Sequence, residues 1–199
     1  STPLSLLTIC QDAASELGLR QPQTIVGSVD LTAQVLFRLA NTAGKHLMHY
    51  HDWQNLIVET TVTTTATVIQ SGALATASFD RLIRNVEIWN TTLNQRYMGP
   101  TPQRVWRQLR SSAVTSSSPG WWRIINNQLN IFPAPTAAQT IVFEIIDKRF
   151  ALSAASVAQS SFTADTDTAR IDEELFTLEL IWRYRKGRGY AQYAEDMET

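Results

Sequence analysis

From Phe162 to Met197 the chain reads FTADTDTARIDEELFTLELIWRYRKGRGYAQYAEDM, an acidic start, then apolar and aromatic residues, then a basic, tyrosine-rich end. A helix is the structure that brings these residues into register. Ile171, Leu175, Leu178 and Trp182 share one stripe, and Phe176, Leu180 and Tyr184 share what reads as an adjoining one. Asp172, Glu173 and Glu174 stand at the positive end of the helix dipole, and Arg183, Arg185, Lys186 and Arg188 stand toward the negative end. Such an apolar face is wider than one helix partner requires, so part of it is expected to meet another chain. Gly187 and Gly189 each cost about 1 kcal/mol relative to alanine inside a helix and predict a break before YAQYAEDMET.

The N-terminal segment is helical by the same reasoning. Leu6, Leu7, Cys10, Ala13, Ala14 and Leu17 recur on one face, with Gln11, Asp12, Ser15 and Glu16 between them. Thr2-Pro3 suits the entry, because proline at the first helical position forfeits an amide that would be unpaired anyway, and Gly18 marks the end. After the loop QPQTIVGS, either Ser28 or Asp30 offers an oxygen to cap a second helix. That helix carries Leu36, Leu39, Ala43, Leu47 and Tyr50 along one face, and the short connection predicts an antiparallel pair.

From Trp53 the pattern changes to LIVETTVTTTATV, whose β-branched side chains suit a pleated surface and crowd a helix turn. No charge falls between Glu59 and Asp80, a stretch that reads as two strands or as a strand and an exposed loop, with its threonines outside the core. RLIRNVEIW from Arg81 to Trp89 predicts a further strand, Thr101-Pro102 opens a short helix over PQRVWRQLR, and SSAVTSSSPG reads as a mobile loop. WWRII and LNIF form a predicted hairpin around Asn126, Asn127 and Gln128, although that turn is not the favoured Asn-Gly; the strand TIVFEIID follows Pro133 and Pro135. The expected fold class is α+β. It comprises a helical bundle from residues 1–52 and 171–199, built by the N-terminal helix pair and the C-terminal helix, with an inserted β-rich domain over 53–150 and a linker over 151–170.

Composition narrows the function classes. The 199 residues are 44% apolar and 18% charged, enough to bury a sizeable core and too apolar for disorder. A net charge of -1 gives no basic excess for gripping phosphate backbones, so sequence-specific DNA binding is disfavoured. No apolar run approaches the roughly 20 residues that span a bilayer, and the N-terminus lacks the features of a signal peptide. A soluble protein made inside the cell, with no membrane partner, is the expectation. The single Cys10 excludes an internal disulfide framework and is expected in a helix core.

Four constellations are candidates for chemistry. His46, His49 and His51, with Asp52 beside them, offer metal-ligand types on a helix face, yet they also read as polar residues at a helix C-terminus. No metal or cofactor is predicted. Glu16, Glu173 and Glu174 supply carboxylates of the kind glycan cleavage needs, but helix-start charge and solvated faces account for them. The basic run Arg183 to Arg188 suits DNA phosphates or an acidic partner. In a strand, Trp121-Trp122 would put one ring in the core and one on the surface, the latter free to stack on a sugar, a base or a partner protein. No Gly-rich phosphate loop, HExxH helix or GxSxG elbow occurs.

Three segments carry a family resemblance: HDWQNLIVETTVTT at 51–64, NQLNIFPAPTAAQTIVFEI at 127–145, and ADTDTARIDEELFTLELIWRYRKG at 164–187 with YAEDM after it. With the helical start PLSLLTICQDAASELGL they resemble the head-to-tail adaptor, or connector, family of short-tailed phages and their prophages. The resemblance implies a structural virion protein without enzymatic activity. About twelve copies would form a ring beneath the portal in the virion neck, after assembly in the bacterial cytoplasm. The ring would extend the DNA channel, pass genomic DNA without sequence specificity, and carry tail nozzle or fibre proteins. It also implies that the C-terminal region reaches the portal and neighbouring subunits, through Trp182, Arg183, Tyr184, Arg185, Lys186, Arg188, Tyr190 and Tyr193. The β-rich region would face outward or toward the tail, with Trp121 and Trp122 as the tail contact. Members of the family continue into a further C-terminal tail. The alternatives are a virion-associated cell-wall glycan hydrolase and a glycan-binding tail attachment module.

Overall fold

The computed structural model describes residues 3–76, 78–111, 120–136 and 138–190, and it is mixed α+β. In chain order the helices α1 (Leu6–Glu16) and α2 (Leu31–Tyr50) and a 3-10 turn (Gln54–Leu56) are followed by β1 (Ile57–Thr63), β2 (Ile69–Gln70), β3 (Phe79–Leu82), β4 (Ile88–Asn90) and β5 (Gln95–Tyr97). Next come α3 (Gln103–Ser111), β6 (Trp121–Ile125), β7 (Gln128–Phe132), β8 (Thr140–Asp147), β9 (Ala151–Leu152), β10 (Ala158–Gln159), β11 (Thr168–Ala169) and α4 (Glu173–Arg188). The chain divides into two compact units, one from residues 1–56 with 148–199 and one from residues 57–147. Among the described residues no helix is long and apolar enough to cross a membrane.

In the first unit, α4 packs against both α1 and α2. Helix α1 begins later than Pro3: Ser5 is the N-cap, its Oγ accepting from the Thr8 amide at 3.2 Å. At its other end Gly18 adopts φ +66°, and Leu19 N and Gly18 N donate to Ala14 O and Ser15 O, the paired bonds that close a helix around a left-handed residue. Of the two candidate caps for α2, Asp30 serves, accepting from the Thr32 amide at 3.0 Å. The core joins Leu6, Ile9, Leu36, Phe150, Phe162, Phe176 and Leu180, each nearly or fully buried. Phe162 stands edge-on to both Phe150 and Phe176, at 5.5 and 5.6 Å. Gly44 admits the Phe150 ring, because a Cβ there would lie 2.1 Å from it.

The span 151–170, expected as a linker, is instead part of this unit. Its short strands pair in the order β10-β9-β11. Around ADTDTAR, Asp167 O and Asp165 O accept from the Leu6 and Leu7 amides at the start of α1, and the Asp165 carboxylate accepts from Ile25 N and Val26 N. Asp167, 1% exposed, accepts from Thr163 N, Thr163 Oγ1 and Ala164 N. A small-residue segment therefore braces the loop at Ile25 and Val26 through the Asp165 carboxylate and the start of α1 through two main-chain carbonyls. Composition could not reveal this, because the bonds run to backbone amides rather than to patterned side chains.

The second unit is built on β8, which pairs antiparallel along its length with β1 and on its other edge with β3 and β4; β5 adds to β4. A second sheet runs β2-β7-β6. Ile141, Phe143 and Ile145 alternate inward along β8, with Glu144 exposed between them. They join Ile88, Tyr97, Trp122, Leu129 and Ile131 in one core. Arg81 to Trp89 is not one strand, since β3 ends at Leu82 and a turn with Asn85 at φ +59° intervenes before β4. The β6–β7 turn places Asn126 and Asn127 at φ +52° and +56°, the two positive values a tight hairpin of this twist requires. Thr64 departs from the expectation of exposure: it is 2% exposed, with its hydroxyl donating to Thr136 O.

Candidate interaction face

Helix α4 is fixed at both ends. Asp172 caps it by accepting from the Leu175 amide at 2.9 Å, and Glu173 and Glu174 occupy the first turn. The end falls at Gly189, φ +71°, where Tyr190 N and Gly189 N donate to Arg185 O and Lys186 O. Gly187 stays inside the helix, so the joint expected around these glycines lies at Gly189 alone.

At about 100° per residue, the two apolar stripes of α4 are not adjoining but nearly opposed. Phe176, Leu180 and Tyr184, with Ile181 beside them, are buried in the first unit. Leu175, Leu178 and Trp182 point the other way, with Leu178 37% exposed and Leu175 and Trp182 half-buried. Two cations cover the Trp182 ring, Lys186 Nζ at 4.7 Å and Arg183 Cζ at 5.3 Å. Its indole Nε1 is buried with no hydrogen-bond partner among the described residues. Such an orphan donor forgoes about 1–3 kcal/mol until an acceptor reaches it. Arg183 Nε donates to Glu179 Oε1 at 2.7 Å, and His46 Nδ1 of α2 lies 2.9 Å from the same oxygen.

The expected interface residues therefore separate. Trp182, Arg183 and Arg185 are half-buried, Lys186 and Arg188 are exposed, and Tyr190 is 49% exposed. Tyr184 is corrected: it is buried on the core side, with Arg188 Cζ 5.3 Å above its ring, because it falls two turns after Phe176 on the inward stripe. Tyr193 lies outside the described residues. In the second unit Trp121 is half-buried, whereas Trp122 is corrected as a tail contact, being 1% exposed within the sheet core.

Beside this face an open groove of about 490 Å³ runs between α1 and α4, lined by Asp12, Glu16, Glu174, Leu178, Ile181 and Arg185 among others. It brings Glu16 and Glu174 together and leaves Glu173 aside, whose Oε1 accepts from the Leu4 amide. The histidine group does not assemble: His46 faces Glu179, His51 packs edge-on to Trp53 at 5.3 Å, and no three His, Cys, Asp or Glu side chains among the described residues are placed to hold a metal. Cys10 is fully buried, and burial, with the Asp165 charge second, pushes its thiol from 9.0 up to about 12. That is the reverse of what a nucleophile needs. Among known proteins, no family model matches the chain and no curated protein matches it.

Helix α3 is a second distinctive face, which the sequence pattern had marked only as a short helix. Trp106 anchors it, 5% exposed and edge-on to Phe132 at 6.3 Å. Arg104, Arg107 and Arg110 run obliquely along one flank, from opposite Trp106 at Arg104 to within about 40° of it at Arg110, and are all exposed. No carboxylate occurs in the sequence between Glu87 and Glu144. Arg104 sits in the first turn, where the dipole disfavours a cation, and like charges three apart each cost a further 0.2–0.5 kcal/mol or so. The available signal was the missing acid, which a count over the whole chain hides.

Proposed function

We propose that the chain is a structural head-to-tail adaptor of a short-tailed phage, without catalytic activity, that assembles as a ring beneath the portal in the virion neck and carries tail proteins below. In this reading the three helices form the bundle that docks, and the β-rich region is inserted into it. The outer face of α4 carries the proposal. Leu175, Leu178 and Trp182 spend apolar surface on the side away from the core, and Trp182 holds a buried donor that lacks an acceptor. The apolar stripe gains from a second chain, since removing apolar area from water contributes roughly 25 cal/mol per Å². Tryptophan flanked by arginine and lysine is also typical of interface anchors. The resemblance of three sequence segments supplies the partner: portal on one side, tail nozzle or fibre proteins on the other, with genomic DNA passing through.

Sedimentation of the full chain, alone and mixed with the portal of the same phage, tests this. A complex with about one copy per portal subunit is expected, lost in Trp182→Ala but kept in Thr61→Ala, an exposed position of β1. A chain that stays monomeric beside the portal, or an unaffected Trp182→Ala complex, overturns the proposal. A second reading, a glycan-cleaving virion enzyme, draws on the carboxylates Glu16 and Glu174 lining one groove. It requires muropeptide release from purified cell wall that disappears in Glu174→Gln.

A further inference from the structure

We propose that α3 is a contact surface for the phosphate backbone of double-stranded DNA, independent of base sequence. The proposal goes beyond the adaptor reading and does not rest on it, and it differs from the outward orientation that the resemblance implies for this region. Three observations carry it. First, the charge is segregated. Residues 57–147 hold seven arginines against five carboxylates, while the remainder of the chain holds ten Lys and Arg against thirteen Asp and Glu, so an overall charge of -1 conceals a basic unit.

Second, the arginines of α3 repel one another at spacings of three, and Arg104 is further disfavoured in the first turn, a disadvantage that an outside anion would relieve; only Arg110, in the last turn, is favoured by the dipole. Arg104, Arg107 and Arg110 recur every three residues along about 9 Å of helix, all exposed, with no ion pair among the described residues. Third, the chemistry of that side is uniform. Gln103, Gln108 and Ser111 are the other exposed side chains there, donors of the kind that position a protein on phosphates. The exposed apolar residue of the helix, Val105, lies on the side away from the arginine row. A protein interface is built around aromatic and apolar anchors at its centre, and the arginine face has none. A row of donors without an apolar centre fits a regularly spaced polyanion instead. Three phosphate contacts without base readout would be weak and quickly exchanged.

The test uses the full chain and a fluorescently labelled DNA duplex of arbitrary sequence, with binding read by anisotropy. Three neutralised phosphates give a slope of about -2.7 in log K against log salt, so affinity should fall about 40-fold between roughly 50 and 200 mM salt. The triple variant Arg104→Gln, Arg107→Gln, Arg110→Gln should abolish binding and the salt dependence together, and Arg107→Gln alone should flatten the slope by about 0.9. Arg20→Gln, Arg38→Gln, Lys45→Gln removes the same formal charge from exposed positions of the other unit and should leave the affinity unchanged. Circular dichroism on each variant confirms that helix content is retained. No binding at low salt, or equal loss in both triple variants, overturns the proposal. Displacement of the duplex by polyglutamate at matched charge would assign the face to an acidic protein and overturn it as well.

Discussion

Asp167 shows how much a single side chain organises. Its carboxylate, 1% exposed, accepts from Thr163 N, Thr163 Oγ1 and Ala164 N, and its own carbonyl accepts from the Leu6 amide. Asp167→Ala would leave three donors facing an apolar methyl. Hydrogen bonds to a charged group contribute about 1.5–3 kcal/mol each before relaxation, so the expected loss is about 3 kcal/mol, read as a lower urea midpoint at unchanged slope. Cys10 makes a prediction of a different sign. Its thiol stays protonated in the fold up to about 12, whereas in the unfolded chain it ionises near 9.0. Its contribution to stability is complete below pH 9 and falls as pH rises toward 12, because the unfolded state then binds fewer protons. Cys10→Ala should remove that part of the alkaline decline, measured as unfolding free energy against pH. The native thiol should also resist disulfide reagents at pH 8 until the chain is unfolded.

At the scale of the element, three glycines in helices or at their ends stand in three different settings. Gly44 lets α2 approach the Phe150 ring; a Cβ there would meet ring carbons at 2.1 to 2.6 Å. Gly44→Ala is therefore expected to destabilise by about 1–3 kcal/mol through overpacking, against the gain that alanine brings to an open helix. Gly187 in α4 has nothing within 4 Å of its would-be Cβ, and Gly187→Ala should stabilise by up to about 1 kcal/mol. Gly189 has the same open space but a φ of +71°, so Gly189→Ala should destabilise by about 1 kcal/mol. Thermal denaturation of the three variants reads all three signs. The outer stripe of α4 makes a further distinction: Trp182→Phe deletes the orphan indole donor and should leave the chain as stable as the parent or more so, read by thermal denaturation.

Among the described residues each unit has an apolar core of its own. One joins the helices through Phe150, Phe162 and Phe176; the other joins the sheets through Trp122, Leu129, Ile141 and Phe143. A chain organised in this way is expected to unfold in two steps. Phe176→Ala should accelerate hydrogen exchange in α1, α2 and α4 and leave β8 protected, and Leu129→Ala should do the reverse; equal changes in both units would argue for one cooperative fold. The charge follows the same division, basic over 57–147 and acidic elsewhere. That partition predicts that the salt dependence of binding to a polyanion follows residues 57–147 rather than the near-neutral total.

Local sequence determined the elements whose signals are local. Periodicity marked α1, α2 and α4, β-branched residues marked β1, and the residue pair Asn126-Asn127 could occupy the left-handed turn that the β6–β7 hairpin needs. Charge at the ends of α4 was equally legible, because the dipole acts within a single turn. Tertiary structure alone decided the rest. Residues 151–170 lack a pattern, yet they join the helical unit, because their anchors are the Asp165 carboxylate and two main-chain carbonyls bonded to distant backbone amides. Thr64 carries no local mark of burial, and alternation at Trp121-Trp122 left open which ring turns inward; partners far along the chain decided both. Which stripe of α4 faces its own core, and which faces outward, depended on where α1, α2 and Phe162 come to rest. A helix can report its faces from sequence, but only its neighbours in space can occupy one and leave the other open.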